Sequence, residues 1–116
     1  MAGSKAALNN IRGSAFKARL VANQIRGRQI EEALSILDLS PRRFARPLAK
    51  LVRSALANAE EKNNREKAGI DVDNLFVQKI TVDEGKSMWR IRARAQGRAA
   101  WIQKRTTNVY IELEER

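Results

Sequence analysis

The sequence predicts an α+β fold: three helices packed on a small antiparallel three-stranded sheet, with a long β-hairpin protruding from it. Three observations carry this expectation. Apolar residues recur at helical spacing in three successive segments of the first half. Two segments of the second half are β-rich or alternate with period two around large apolar side chains. A third alternating segment, residues 86–105, interleaves arginine with mostly small residues and has too little apolar surface to be buried. At 116 residues the chain is long enough for one domain with one modest core. The expected globular body covers about residues 1–85 and 103–116, and the hairpin about residues 86–102.

Taken in order, residues 5–12 read as a short extended segment anchored by Leu8 and Ile11. Gly13 breaks it, and the Ser14 hydroxyl can cap a helix over about residues 15–26. Phe16, Leu20, Val21 and Ile25 share the expected apolar side of that helix, with Lys17 among them; Arg19, Asn23 and Arg26 share the other. Gly27 ends it, and residues 29–38 form a second helix with Ile30, Ala33, Leu34 and Leu37 inward. Ser40-Pro41 then signals the start of a third helix over about residues 41–63, in which Pro47 would produce a kink. Its apolar face is Phe44, Leu48, Leu51, Val52, Ala55, Leu56 and Ala59, an arc of about 140°. Arg42, Arg43, Arg46, Lys50 and Arg53 line the opposite side, without glutamates at i−4 to pair with them. Residues 75–82 are β-rich and end in the turn or bulge signal Asp83-Glu84-Gly85. Val109, Ile111 and Leu113 alternate with polar neighbours as a half-buried strand.

Between these strands Arg90, Arg92 and Arg94 alternate with Ile91, Ala93 and Ala95, which gives a strand with one cationic face. Ala95-Gln96-Gly97 marks the tip, and the return arm runs to Lys104-Arg105. Trp89 and Trp101 lie equally far from residue 95, which predicts an aromatic cross-strand pair, with stacking on nucleobases as the alternative. Each arm of about ten residues would reach roughly 33 Å. An isolated two-stranded ribbon is marginal in water, and like charges weaken this one further. A polyanion would neutralise the guanidinium groups and cover the strands.

Composition points the same way. Lys plus Arg number 23 against 13 Asp plus Glu, a net charge of +10. The charge is segregated: residues 1–28 and 86–105 each contain bases and no acid. Two acid-free blocks imply two anion-facing surfaces and make nucleic acid the first partner to consider. The chain has no cysteine and no histidine, which excludes disulfides, thiolate metal sites and imidazole catalysis. No bilayer-length apolar stretch and no signal-type run are present, so the expectation is a soluble intracellular chain without membrane association, cofactor or metal.

The segments that carry this chemistry also resemble a known family, the bacterial-type large-subunit ribosomal protein twenty-two family, over essentially the whole chain. The most specific matches are Val82-Asp83-Glu84-Gly85, then Arg92-Ala93-Arg94-Ala95-Gln96-Gly97-Arg98-Ala99 and Lys104-Arg105-Thr106. Lys17-Ala18-Arg19-Leu20-Val21, Ile25-Arg26-Gly27, Glu32-Ala33-Leu34 and Ser54-Ala55-Leu56-Ala57-Asn58-Ala59-Glu60 support them in order and spacing. The family often has proline where this chain has Ala93. The resemblance implies a structural, non-catalytic constituent of the cytoplasmic large ribosomal subunit, or of an organellar one. It would bind large-subunit ribosomal RNA, act early in assembly and not form homo-oligomers. The hairpin would line the polypeptide exit tunnel, near ribosomal protein four and the nascent polypeptide. Arg90, Arg92, Arg94 and Arg98 would anchor the hairpin in RNA, with Arg94, Ala95, Gln96, Gly97 and Arg98 at its tip. Lys104, Arg105 and Thr106 would meet phosphates at its base with Lys17 and Arg19. The wider candidate RNA surface adds Arg12, Arg26, Arg28, Arg42, Arg43, Arg46, Lys50, Arg53 and Lys86. Two other functions fit the charge: a β-ribbon architectural DNA-binding protein, or a small basic ribonuclease using Asp83 or Glu84.

Overall fold

A computed structural model describes residues 3–66, 69, 71–93 and 95–115. Strand β1 (Gly3–Arg12) leads into helices α1 (Ala15–Ile25), α2 (Ile30–Leu39) and α3 (Ala45–Glu66). A short 3-10 turn, Val72–Asn74, precedes β2 (Leu75–Glu84), and the hairpin strands β3 (Met88–Ala93) and β4 (Ala99–Lys104) lead to β5 (Thr106–Glu115). The body sheet is antiparallel in the order β1-β5-β2, and β3-β4 form a separate two-stranded ribbon. The predicted α+β class, the three-stranded sheet and the hairpin are all present.

The core follows from alternation in the central strand. Val109, Ile111 and Leu113 of β5 are buried beside Leu75, Val77, Ile80 and Val82 of β2. The inward set of β2 skips a residue after Val77, and a register shift between Val77 and Lys79 returns Ile80 to the inner face. A second irregularity between Leu8 and Ile11 in β1, where Asn10 takes a φ of 63°, lets both anchors pack on the core despite their odd spacing. Helix α3 lies on β1, α1 lies on β2, and α2 packs against both helices. The buried Ser4 hydroxyl donates to the Ala55 carbonyl at 2.6 Å, tying β1 to α3. Burying side chains of this size contributes about 1.5–3 kcal/mol each.

Four local expectations need correction. In α1 the buried face is Ala15, Ala18, Val21, Ala22 and Ile25, whereas Phe16 is 67% exposed and Leu20 is 37% exposed. The small side chains let the helix approach the sheet closely, so the larger Phe16 and Leu20 are displaced outward. Ser14 does occupy the capping position, but its side chain makes no capping hydrogen bond. Helix α3 begins at Ala45 rather than Pro41, which puts Pro47 in the first turn, where no intrahelical acceptor awaits its missing N–H. Pro47 therefore belongs to the helix start, and Arg42 and Arg43 lie in the preceding turn. Finally, Asp83 and Glu84 continue β2 to its end, and the irregularity expected as a turn or bulge at Asp83-Glu84-Gly85 falls at residues 85–87.

The ribbon makes the molecule elongated. Its extents are 65 × 26 × 16 Å and its radius of gyration is 17.5 Å, against about 13 Å for a compact chain of this length. All described residues of β3 are exposed. At the tip, Gln96 (φ 61°, ψ 30°) and Gly97 (φ 72°) both adopt the left-handed region that closes the reversal. The register pairs Ala93 with Ala99, Ile91 with Trp101 and Trp89 with Gln103. The two indoles therefore do not face each other: the ribbon is centred on residue 96, not 95.

Candidate nucleic-acid interface

The joint between body and ribbon gathers cations that are far apart in sequence. Gly13 follows β1, with a φ of 134°. Its N–H donates to the Arg105 carbonyl at 3.0 Å and its carbonyl accepts from the Thr107 hydroxyl at 2.9 Å. A β-carbon at Gly13 would lie 2.4 Å from Phe44 Cζ, so only glycine allows the turn before α3 to close over this point. Arg12, Arg43, Lys104 and Arg105 consequently line one open hollow of about 370 Å³ with Gly13, Ser14 and Gln103. A neighbouring hollow of about 360 Å³ shares Gly13, Ser14 and Arg43 and adds Lys17 and Arg42 beside Phe16, Leu20 and Phe44. Among the described residues, no carboxylate lines either hollow.

These six cations come from the end of β1, the start of α1, the turn before α3 and the junction of β4 with β5. Among the described residues none of them lies within 4.0 Å of a carboxylate, and the same holds for Arg46, Lys50, Lys86, Arg90, Arg92 and Arg98. All but the half-buried Lys104 are exposed, so desolvation costs are small and the charges remain available to an incoming anion.

Other residues of the candidate set are engaged within the protein. Arg19 donates through Nε and Nη2 to the Val82 carbonyl at 3.2 and 3.0 Å, and Arg26 Nη2 donates to the Ile80 carbonyl at 2.8 Å. Both cover the outer edge of β2, an edge strand that would otherwise present free carbonyls. The Thr106 side chain is buried, its hydroxyl donating to the Lys86 carbonyl at 2.6 Å, so it holds the joint together instead of facing solvent. Arg53 pairs with Asp38 across α2 and α3 at 2.9 Å, and Arg28 pairs with Glu32 at 2.7 Å. Both pairs are half exposed and contribute little to stability. The basic stripe expected on the third helix thus divides: Arg42 and Arg43 join the hollows, Arg46 and Lys50 have no carboxylate partner among the described residues, and Arg53 is paired. Arg94 lies outside the described residues.

On the ribbon, Arg90 and Arg92 share a face with Ala100, Ile102 and Lys104, while Trp89, Ile91, Ala93, Ala99 and Trp101 form the opposite face. The exposed Phe16 at the joint was not among the expected interface residues. Its size placed it on the inner side of α1, and only the alanine pattern Ala15, Ala18, Ala22 pointed to the true packing face.

Fold and site together define a basic body-and-arm protein. Asp83 and Glu84 are exposed, Glu84 lining a small hollow of about 110 Å³ beside Arg105, and no cluster of metal-ligating residues occurs among the described residues. No helix is long and apolar enough to cross a membrane. Comparison with known proteins agrees. Residues 6–114 match the family described as ribosomal protein L22p/L17e. The chain is 47% identical over 111 residues to large ribosomal subunit protein uL22 of Anaeromyxobacter sp. strain K, covering 96% of this chain and 73% of the relative. The same values hold for uL22 of Anaeromyxobacter dehalogenans strain 2CP-1, and uL22 of Anaeromyxobacter sp. strain Fw109-5 is 46% identical. The chain belongs to the L22p/L17e family of ribosomal proteins, structural and non-enzymatic constituents of the ribosome.

Proposed function

We propose that this protein binds large-subunit ribosomal RNA through the cationic joint and ribbon, supports early assembly of the subunit, and extends its hairpin along the polypeptide exit tunnel. The body sits on the RNA surface, and phosphates enter the two hollows lined by Arg12, Lys17, Arg42, Arg43, Lys104 and Arg105. Arg90, Arg92, Arg94 and Arg98 hold the ribbon between RNA segments. The tip Ala95-Gln96-Gly97, built from small or flexible residues, faces the nascent polypeptide near ribosomal protein four. The cytoplasm, where the ribosomes of such relatives assemble, is the corresponding location.

The observation that carries this reading is the convergence of six cations, without carboxylate partners among the described residues, at the root of an arm that has no core of its own. Self-repulsion among them is relieved by an external polyanion, which also releases its own counterions on binding. Sedimentation of the tagged protein in cells tests it: the protein should co-migrate with large subunits and their precursors. Binding in vitro adds a second check, with tighter association to large-subunit RNA than to duplex DNA at equal salt. A preference for the duplex would replace the ribosomal reading with that of an architectural DNA-binding protein.

A further inference from the structure

We propose that the apolar face of the ribbon is a nucleobase-stacking site, in which Trp89 and Trp101 receive an unpaired base of the RNA whose phosphates meet the opposite, arginine-bearing face. This rests on the RNA-binding reading above and assigns the chemistry of a surface that reading leaves unused.

Three observations carry it. Trp89 is 57%, Ile91 63% and Trp101 66% exposed, an apolar cluster that the protein itself does not cover. The register sets Trp101 opposite Ile91 and Trp89 opposite Gln103, so the indoles occupy successive rungs of one face as diagonal neighbours. Diagonal positions on a ribbon are about 7–8 Å apart. Stacked bases repeat at about 3.4 Å along a strand, so a base between two aromatic rings needs about 7 Å. The diagonal offset of the two indoles is therefore of the size that admits one base. Third, residues 86–105 contain no acid, and Arg90, Arg92 and Lys104 project from the other face. A second copy of this chain, with a net charge of +10, would be repelled from such a surface, whereas an RNA strand brings both bases and compensating phosphates. Tryptophan offers the largest stacking surface among side chains, and stacking tolerates any base.

Trp89 and Trp101 are the only two tryptophans of the chain, so indole emission, excited selectively over the single tyrosine, reports on this face alone. The full protein is titrated at low salt with single-stranded poly(A), with a fully paired RNA duplex and with purified large-subunit RNA, and binding is followed independently by fluorescence anisotropy of labelled RNA. Poly(A) should quench indole emission saturably, and the duplex should bind with much less quenching. Trp101→Leu should weaken poly(A) binding by about 5-fold to 150-fold, and Trp101→Phe, which keeps a π face, by distinctly less. Poly(A) that binds without quenching, or fails to bind, overturns the stacking site, as does equal affinity of the Leu and Phe variants. Emission that changes with protein concentration in the absence of RNA, together with dimer formation, would assign the face to a second copy. Failure of the RNA-binding reading is read separately, by absence of binding to large-subunit RNA in the anisotropy measurement.

Discussion

Removing two cations from the joint should change how binding responds to salt while leaving the fold intact. In Arg43→Gln/Arg105→Gln, two of the four side chains lining the hollow with Arg12 and Lys104 lose their charge. Both are exposed and neither has a carboxylate partner among the described residues, so the denaturation midpoint should not move. Each neutralised phosphate contributes about 0.7–0.9 to the slope of log affinity against log salt, and the double variant should lose about 1.4–1.8 of it. Over a fourfold rise in salt the wild-type protein should therefore lose about tenfold more affinity for large-subunit RNA than the variant does. Filter binding or anisotropy at several salt concentrations measures both slopes. Arg53→Gln is the internal control: its guanidinium already sits on Asp38 at 2.9 Å, so its loss should alter the slope much less. Equal slopes for wild type and double variant, or an effect of Arg53→Gln as large as the double, would refute the assignment of the hollow to phosphates.

Further outcomes follow from the same geometry. Replacing residues 88–104 with a tight Asn-Gly turn should leave a body that unfolds cooperatively near the wild-type midpoint, because no described residue of that segment belongs to the core; a broad, non-cooperative urea transition would show that the ribbon is part of the core. Gly13→Ala places a β-carbon against the Phe44 ring at a φ of 134°, and should cost about 2–4 kcal/mol in urea denaturation. Tyr110, the single tyrosine, donates to Glu112 Oε1 at 2.6 Å, and that hydrogen bond, followed by desolvation and the carboxylate charge, raises its pKa above the ordinary 10.0. The folded state retains the phenol proton longer than the unfolded chain, so this contribution to stability is full below pH 10.0 and lost as pH rises through the raised value. Ultraviolet titration of the phenolate should show that shift, and Glu112→Gln should bring the midpoint back toward the ordinary value.

Sequence periodicity was most informative where one rule acted alone. The alternation of Val109, Ile111 and Leu113 gave β5, and the arginine alternation gave the ribbon, because a period of two has few alternative explanations. It failed where two signals competed. Ser40-Pro41 looked like a helix start, yet Pro47 fits the first turn equally well, and the buried Phe44 decides between them by holding the preceding turn against Gly13. Ranking by side-chain size put Phe16 inside α1, whereas close approach through alanine put it outside. The basic blocks were legible as blocks. Their meeting at the joint was not, nor was the Arg53–Asp38 pair, since both depend on how α2, α3 and the strands cross.

The ladder of the body and that of the ribbon do not run in phase. Glu84 pairs with Thr107 and Met88 with Lys104, so residues 85–87 stand against only 105 and 106. That mismatch is taken up locally, where the Gly85 N–H donates to the Thr106 carbonyl and a β-carbon at Gly85 would come within 2.5 Å of Thr106 Oγ1. Footing and reach are thereby decoupled: matched additions or removals on both arms would lengthen or shorten the finger without transmitting a slip into the sheet below.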